Sequence, residues 1–444
     1  MRMISLLIIA LAQPRYNVGY NEGSMAHPLN IGIIMDDFYP TSGGVARSIE
    51  LQTLELVKAG HNVTLFAPKP FFVPPEHCAF EALDSWHIPG TPSFLCSVKF
   101  SSKRARDIIS RYKFDVIHSQ NERGSMFLAA HIAKLANIPH VHTFHSNYAG
   151  THSTSPILAA LNSYTYMQFA PFMLHRIRSD RDKLRIRFPR KLASKERSRL
   201  GRKDWKAVAK MAQYTDAFTS PAQYVIDAIN DATHGQLAER AFTVANGIND
   251  VFPKAARIRD TNDTVRFLSC GRLDPEKRVD VIIKAFAKLN KRDAELYILG
   301  AGTQEDELKK LAHETVLRGR VVFLGHYEDH ERVANEFANA DCFVFASYHF
   351  DTQGMVLAEA AATGCPILYC DERLTVGVTP ENALLTHPSV SAIAEGMEQL
   401  YQSPELRAKL TAHSKAVGSK LTATAMEEAF LNVYLSAVKK FTAA

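Results

Sequence analysis

The chain has 444 residues, of which 46% are hydrophobic and 22% are charged. At about 150 residues per domain, this length predicts two or three globular domains, and the composition excludes disordered, collagen-like and coiled-coil proteins. The longest apolar run, Ile4 to Ala12, has under half of the roughly 20 residues that cross a bilayer, so no membrane-spanning helix is predicted. Six cysteines without a C-x-x-C pair indicate reduced thiols in a cytosolic protein.

The net charge of +6 is unevenly distributed along the chain. From Arg176 to Lys210 there are 15 Lys or Arg against 4 Asp or Glu, a local charge of +11, so the remaining chain carries −5. This basic segment, residues 176–210, predicts an anionic partner, either lipid headgroups or nucleic acid.

The first 24 residues stand apart from the rest. They contain three charged residues, Arg2, Arg15 and Glu22, a short apolar run after Arg2, and Ala10-Leu11-Ala12, which faintly resembles a signal-peptide cleavage site. Because the run is short for a signal peptide and Met25 directly precedes the first clear strand, we interpret residues 1–24 as an N-terminal extension.

From Asn30 onward, short apolar runs alternate with amphipathic stretches, as in βαβ units on a parallel sheet. The first series predicts strands at residues 31–35, 63–66, 115–118 and 140–143, and helices at 45–59 and 126–136. A polar loop and one aromatic helix at 157–177 then lead into the basic segment, and a strand at 217–219 precedes the Asn246-Gly247 turn.

A second series predicts strands at residues 265–269, 295–299, 321–324, 342–346 and 366–369. We therefore predict an α/β fold of two doubly wound, Rossmann-like domains facing across a cleft, with ligands at the carboxyl ends of the strands. The N-terminal domain would span residues 25–253, with a basic insertion at about 157–210, and the C-terminal domain 254–425. Residues 426–444 would form a final helix that packs back on the N-terminal domain.

Adjacent glycines, Gly43 and Gly44, lie between the first strand and the first helix. Glycines allow close approach of a ligand and leave the N–H groups of a helix N-terminus free to bind an anion. A tight strand-to-helix turn is an equally good interpretation.

Two cations, Arg272 and Lys277, follow the first strand of the second series across a proline-containing turn. They can converge on a diphosphate, Arg272 as a planar fork and Lys277 as a point charge. A solvated surface turn is the alternative.

Two acids, Asp351 and Glu359, flank a glycine that opens a helix. The N–H groups of Gly354, Met355 and Val356 would then face the cleft at the positive end of the helix. On a continuous helix the two acids would be about 80° and about 12 Å apart. The alternative for Glu359 is a capping or salt-bridged acid.

Histidines end two neighbouring predicted strands, at His118 and in the His142-Thr143-Phe144-His145 run. A single histidine is more often structural, but clustering at strand ends favours a role for His145 in the cleft.

Together these motifs resemble glycosyltransferase family 4, retaining enzymes of the GT-B fold, from about Asn30 to the C-terminus. The run from Asp351 to Glu359 is similar to the family's E-x7-E signature, and residues 360–366 are similar to its EAMASGTP sequence. Asn246-Gly247-Ile248-Asn249 resembles the NGID linker. The first acid is aspartate rather than the family's glutamate. Its side chain is one methylene shorter, which affects its contact with the sugar hydroxyls and hence which sugar is bound.

The resemblance implies a role for each motif. Glu359 would bind the ribose of a nucleotide sugar, Arg272 and Lys277 its diphosphate, and Asp351 the donor sugar, which His145 would face. Gly43 and Gly44, with the N–H groups of Gly354, Met355 and Val356, would contact the phosphates or the sugar, and the base would lie near Gly325, His326 and Tyr327. No cofactor or metal is implied, since two cations and helix N-termini can neutralise the leaving group. The D-x-D string Asp180-Arg181-Asp182 is interpreted as a solvated charge run.

Thr352-Gln353-Gly354 and the histidine loop resemble those of members that glycosylate diacylglycerol or glycolipid, which implies a UDP-sugar or GDP-mannose as donor. Tyr164, Tyr166, Phe169, Phe172 and Met173 precede the basic segment, and aromatic and cationic groups together suit a membrane interface. We expect a cytoplasmic enzyme bound peripherally to the inner face of the membrane, without nucleic acid. A soluble acceptor (a sugar phosphate, cyclitol or polysaccharide) or a non-catalytic nucleic-acid or membrane-surface module remain alternatives.

Overall fold

A computed structural model of the chain describes residues 27–37, 43–69, 74–87, 96–152, 156–181, 183–184, 186, 198–259, 264–315 and 320–443. The predictions for residues 1–24 lie outside this part. So do the second acid of the D-x-D string, Asp182, and residues 187–197 of the basic segment.

The N-terminal half is built on a parallel sheet with the strand order β3-β2-β1-β6-β7-β8-β9. Its strands are β1 (Asn30–Ile34), β2 (Asn62–Pro68), β3 (Ala79–Leu83), β6 (Val116–Ser119), β7 (His140–Thr143), β8 (Ala217–Ser220) and β9 (Ala241–Thr243), and β4 (Ser85–His87) pairs antiparallel with β5 (Cys96–Val98). Its helices are α1 (Gly44–Lys58), α2 (Ser102–Arg111), α3 (Gly124–Ala136), α4 (Pro156–Tyr164), α5 (Tyr166–Ile177), α6 (Arg199–Ala212) and α7 (Gln223–Thr233).

Helices cover both faces of this sheet because neighbouring apolar residues of a strand point to opposite sides. Ile33 packs in a cluster with Ile49 of α1, and Ile34 packs in another with Ala105 of α2 and Ile132 of α3. All of these side chains are at most 1% exposed.

The C-terminal half repeats this arrangement in a second parallel sheet, ordered β12-β11-β10-β13-β14-β15. Its strands are β10 (Val265–Cys270), β11 (Ala294–Leu299), β12 (Arg320–Gly325), β13 (Cys342–Phe345), β14 (Ile367–Tyr369) and β15 (Ala383–Leu385). Its helices are α8 (Val251–Lys254), α9 (Val279–Leu289), α10 (Glu305–Thr315), α11 (His330–Asn339), α12 (Met355–Thr363), α13 (Val390–Gln402) and α14 (Pro404–Gly418), and α15 (Ala423–Thr442) follows.

The chain crosses between the two halves twice at one place. Ile248, after β9, pairs with Thr422, before α15. A Cβ on Gly247 would lie 2.6 Å from the Cα of Ala423, so only glycine fits between the two crossings. Beyond this point α15 packs on the N-terminal sheet, with Phe430 and Tyr434 in the cluster of Ile33.

The predicted aromatic helix is wrong as a single element, because two helices, α4 and α5, meet at Thr165. The backbone of Thr165 has φ −106° and ψ −85°, outside the helical region. No helix within the described ranges combines the length and apolar character needed to cross a membrane.

Candidate active site

The carboxyl ends of the two sheets face one cleft. In each sheet the strand order reverses beside the first strand, between β1 and β6 and between β10 and β13, which is where open parallel sheets form crevices. Asn147, just past β7, reaches across this cleft. Its side-chain N–H group donates to the carbonyl oxygens of His349 at 3.0 Å and Phe350 at 3.3 Å.

Two helix N-termini meet in this cleft. Gly43, with φ +81°, caps α1, and Gly354, with φ +71°, caps α12, conformations that favour glycine. A Cβ on Gly44 would lie 3.1 Å from the sulfur of Met355, so the first turns of the two helices are in contact distance. Their first N–H groups have no partners within their own helices, which makes the junction suited to an anion.

Asp351 lies in the loop before α12 and forms an ion pair across the C-terminal domain. The Nζ atom of Lys277 donates to its Oδ1 atom at 2.6 Å, and the hydroxyl of Ser347 donates to Oδ2. The helix begins only at Met355, after the left-handed Gly354. The predicted opening of a helix at Gly354 is therefore confirmed, and the separation given for a continuous helix does not apply, because Asp351 lies before the helix.

Arg272 and Lys277 do not share a partner in this structure. Arg272, with its side chain 48% exposed, is paired with Asp274 and Glu276 of its own turn, whereas Lys277 is 18% exposed and paired with Asp351. Asp274 and Glu276 would compete with a diphosphate for the guanidinium of Arg272. The motif alone does not predict these two ion pairs.

Glu359 lies on α12 without a hydrogen-bond partner among the described residues. Removal from water raises the pKa of Glu359 to about 7, and the positive charge of Arg47 partly opposes this shift. Glu359 therefore neither caps a helix nor forms a salt bridge with a described residue, so the alternative interpretation of this acid is not supported.

Arg47 brings a positive charge from the N-terminal domain to this region. It lies on α1, and its Nη1 atom is 3.1 Å from Nδ1 of His330, on α11 of the other domain. Burial and the charge of Arg47 lower the pKa of His330 to about 4, so this ring is neutral at neutral pH. Sequence reasoning missed both residues, although a cation three residues after paired glycines is a usable signal.

His145 is buried at the carboxyl end of β7, where burial lowers its pKa to about 4. Its Nε2 atom is 2.9 Å from the side-chain oxygen of Gln120, whose own N–H group donates to Gln52. Because a carbonyl oxygen only accepts, Nε2 carries the proton and Nδ1 is left as an acceptor.

The hydrogen-bond chain behind His145 continues to the last helix. Gln52 donates to the hydroxyl of Tyr434 on α15 at 2.8 Å, and the same hydroxyl is 2.7 Å from Nδ1 of His118. Sequence reasoning identified His118 but missed the amides and Tyr434, which lie far apart along the chain.

A second polar network surrounds the loop that carries His145. Glu122, after β6, accepts from the backbone N–H of Ser146 at 3.2 Å and from its hydroxyl at 2.9 Å. The carboxylate of Asp36, after β1, accepts from the N–H of Val98 at 2.7 Å. Burial raises the pKa of Asp36 to about 6 despite the nearby charge of Arg123. These bonds hold the carboxyl end of the N-terminal sheet in place.

Gln353 ties the loop of Asp351 to the first crossing between the domains. Its buried side chain accepts from the backbone N–H of Asn246 at 2.7 Å and donates to the carbonyl of the same residue at 3.1 Å. Because the partner of Gln353 is 107 residues away, the sequence alone does not predict this contact.

Two predicted positions lie away from these contacts. His326 is exposed past the end of the edge strand β12 and has no hydrogen bond with a described residue. Asp180 of the D-x-D string is 42% exposed and pairs with Arg178 at 3.3 Å. Across the described residues, no three His, Cys, Asp or Glu side chains are grouped as ligands for a metal ion.

Two family comparisons together cover most of the chain. Residues 42–252 match the family described as Glycosyltransferase Family 4, and residues 253–417 match that described as Glycosyl transferases group 1. The chain is a family 4 glycosyltransferase. The prediction of an enzyme of this class is confirmed.

Relatives of this glycosyltransferase include proteins named for lipid acceptors. It is 26% identical over 358 residues to alpha-monoglucosyldiacylglycerol synthase of Streptococcus pneumoniae, covering 77% of this chain and 70% of the relative. It is 25% identical over 349 residues to phosphatidyl-myo-inositol mannosyltransferase of Mycolicibacterium smegmatis, covering 77% and 76%.

Solved structures of glycosyltransferases share the fold of this enzyme. HepE of Anabaena, in complex with UDP, matches with a TM-score of 0.63 at 15% identity, covering 92% of this chain and 100% of HepE. A glycosyltransferase from Rickettsia africae matches with the same TM-score, 0.63, at 16% identity, covering 92% of this chain and 99% of that structure. The predicted GT-B fold is confirmed.

Proposed function

We propose that this enzyme transfers a hexose from a nucleotide sugar to a membrane lipid or glycolipid, with retention at the anomeric carbon. The observation that carries the donor half is the meeting of the N-termini of α1 and α12 beside Lys277 and Glu359. Positive helix ends and a half-buried cation suit the phosphates of a nucleoside diphosphate, whose negative charge grows as it leaves.

Donor recognition is divided between the two domains. Glu359 accepts hydrogen bonds from the ribose hydroxyls, while Arg272 and Lys277 exchange their present carboxylates for phosphate oxygens. Gly43 and Gly44 approach the phosphates from α1, and the N–H groups of Gly354, Met355 and Val356 approach from α12. The base lies near Gly325, His326 and Tyr327, and UDP is the first candidate because HepE binds UDP, with GDP-mannose as the second.

His145 and Asp351 act on the donor sugar. The neutral imidazole of His145 offers Nδ1 to a sugar hydroxyl, and Asp351 accepts from others once Lys277 moves to phosphate. The acceptor oxygen bonds to the anomeric carbon on the face from which the phosphate oxygen departs, and the acceptor proton passes to that phosphate. Neither side chain exchanges a proton in this scheme.

The acceptor half is supported by the names of the two relatives and by an apolar surface beside the cleft. Six large apolar side chains of α4 and α5 are between 46% and 84% exposed. We call them the α4–α5 face: Ile157, Leu158, Leu161, Tyr164, Phe169 and Phe172. A patch of this kind suits contact with lipid.

Cations and the cleft both lie close to the α4–α5 face. Lys203 is 3.6 Å from the ring centre of Tyr164, and Arg176 is 5.9 Å from that of Phe172. The 3₁₀ helix Tyr148–His152, which contacts the C-terminal domain through Gly150, precedes α4 by three residues. We propose that this face rests on an anionic membrane at the inner side of the cell and delivers the acceptor.

The structure changes which residues could touch that membrane. Tyr166 donates to the carbonyl of Glu122, and Met173 packs against a buried cluster, so neither belongs to the exposed face. Arg178, from the basic segment, is 2% exposed and is likewise excluded. Arg176 and Lys203, which lie against rings of the α4–α5 face, remain candidates.

Donor binding is tested by calorimetry with UDP, GDP, ADP and their glucose, galactose, mannose and N-acetylglucosamine conjugates. We expect one nucleotide to bind the wild-type enzyme and to bind Glu359→Gln at least tenfold more weakly. Equal binding to both proteins would contradict the donor site.

Acceptor class is tested with the donor so identified, using diacylglycerol and phosphatidylinositol in anionic vesicles against sugar phosphates, inositol and glycogen in solution. Leu161→Glu should reduce transfer to the vesicle acceptors. Leu135 is an exposed leucine of α3 outside the α4–α5 face, so the matched control Leu135→Glu should leave this transfer unchanged. Transfer to a soluble acceptor that Leu161→Glu leaves unchanged would refute the lipid proposal and establish the soluble alternative.

A further inference from the structure

A cavity of about 510 Å³ lies at the edge of the N-terminal sheet opposite the cleft. Asn137, Asp216 and Arg240, which line it, come shortly before β7, β8 and β9. Lys134 and Lys440 line it from the last turns of α3 and α15. Because the carboxyl ends of these strands face the cleft, their amino ends place this cavity on the far side of the sheet.

Two arginines of the cavity wall are balanced by two aspartates. Arg178 lies 3.3 Å from Asp180 and 3.6 Å from Asp216, measured between side-chain nitrogen and oxygen atoms. Arg181 pairs with Asp216 and lies 3.8 Å from Asp180. These four charges cancel, so they leave no net attraction for an ion.

Three further cations line the cavity against one acid, Glu239. Lys134 donates to the hydroxyl of Ser179 at 3.1 Å, and Lys440 donates to the backbone carbonyl of Glu239 at 2.7 Å. Neither lysine forms an ion pair, and the guanidinium of Arg240 has no partner, within the described part of the chain. The carbonyl ends of α3 and α15 offset this excess by about half a charge each, which reduces it without reversing it.

A buried nitrogen in the same wall lacks an acceptor. Arg178 is 2% exposed, yet its Nη1 atom makes no hydrogen bond, and Asp216 at 3.6 Å is too distant for one. A buried donor without an acceptor is costly, and all five N–H groups of an arginine need acceptors. An oxygen atom placed in the cavity would provide that acceptor.

We propose that this cavity binds a phosphate ester. Arg178 and Arg240 donate to the phosphate oxygens, since guanidinium groups match phosphate geometry, and Lys134 and Lys440 add charge from the rim. The apolar part of the wall, from Ala133, Ala437 and Phe441, contacts the carbon portion of the ester. The ligand would join α3 to α15, the helix that also holds Tyr434 in the hydrogen-bond chain behind His145.

The phosphate can belong to a soluble metabolite or to a phospholipid headgroup, so both are tested on the full-length enzyme. Soluble probes are inorganic phosphate and glycerol 3-phosphate, followed by calorimetry and thermal unfolding. The lipid probe is sedimentation with phosphatidylcholine vesicles, with and without phosphatidylglycerol. The cavity variants are Arg240→Gln and Lys440→Gln, and Lys439→Gln, an exposed neighbour on α15 outside the cavity, is the matched control.

We expect at least one probe to bind the wild-type and Lys439→Gln proteins equally and to bind both cavity variants at least tenfold more weakly. An effect with the soluble probes identifies a metabolite site, and an effect only with phosphatidylglycerol vesicles identifies a headgroup site. Absence of binding to the wild type, or the same affinity in all four proteins, would overturn the proposal. Since these variants lie away from the cleft, nucleotide binding tests the donor site separately.

Discussion

Replacing Glu359 by glutamine removes a carboxylate while keeping the size of the side chain. Burial raises the pKa of Glu359 to about 7 from its ordinary value of 4.5. Between these values the folded protein holds a proton that the unfolded chain has released, so this group contributes stability that is complete below pH 4.5 and lost as pH rises through 7. At about 1.36 kcal/mol per pH unit, the total is about 3 kcal/mol.

The assay is urea unfolding of the ligand-free wild type and of Glu359→Gln at pH 5 and pH 8. Relative to the wild type, the variant should gain about 2.5 kcal/mol of unfolding free energy between these pH values, because most of the loss falls in this interval. Taking the difference between the proteins cancels groups that both retain, such as Asp36. A difference that does not change with pH would refute the burial of this carboxylate.

The same carboxylate should control donor binding. An ionised carboxylate is a stronger acceptor than a protonated one, so wild-type affinity for the nucleotide should rise as pH passes 7, and Glu359→Gln should bind about 10- to 150-fold more weakly at pH 8. Glu427→Gln is the matched control, because burial also raises the pKa of Glu427 to about 7 but it lies on α15. Loss of nucleotide affinity in that control as well would point to a global effect.

Three other substitutions test separate parts of the site. Arg47→Gln should weaken nucleotide binding by about tenfold in calorimetry and move the pH dependence set by Glu359 upward, because a charge that lowers its pKa is lost; an unchanged midpoint would contradict this contact. His145→Ala should lower kcat by about 100-fold or more while nucleotide affinity stays within about twofold, and equal losses in both would contradict its assignment to the sugar. Gln353→Leu leaves two backbone groups of Asn246 without partners, so urea unfolding should show a loss of about 2 kcal/mol or more, and wild-type stability would refute the role of this tie.

Local apolar patterns were sufficient to predict most of the strands. The strand at residues 140–143 has the predicted bounds, and α1 begins and ends within one residue of the prediction, because both are apolar segments bounded by turn residues. The break between α4 and α5 could not be predicted in this way. The hydroxyl of Tyr166 donates to the carbonyl of Glu122, 44 residues away. The apolar pattern on either side of Thr165 does not predict that contact.

The site residues divide according to how far apart their partners are. Motifs identified Asp351, Lys277 and Glu359, which lie in short segments with unusual composition. Arg47 is an ordinary cation on an amphipathic helix until His330 is placed beside it, and 283 residues separate the two. The single sequence therefore predicts the parts that each domain supplies, whereas contacts between domains depend on how the two sheets are placed.

The ion pairs of the cleft bear on which groups determine the strength of donor binding. Lys277 is already paired with Asp351, and Arg272 with Asp274 and Glu276. A diphosphate that takes either cation replaces one charged hydrogen bond with another, so the net gain from that exchange is small. The N-termini of α1 and α12 and the carboxylate of Glu359 have no competing partner among the described residues, and bonds to them add to affinity without an equal loss. We therefore infer that these groups determine the strength of donor binding. When Lys277 moves to phosphate it releases Asp351, which can then accept hydrogen bonds from the donor sugar, so phosphate binding and sugar binding are linked.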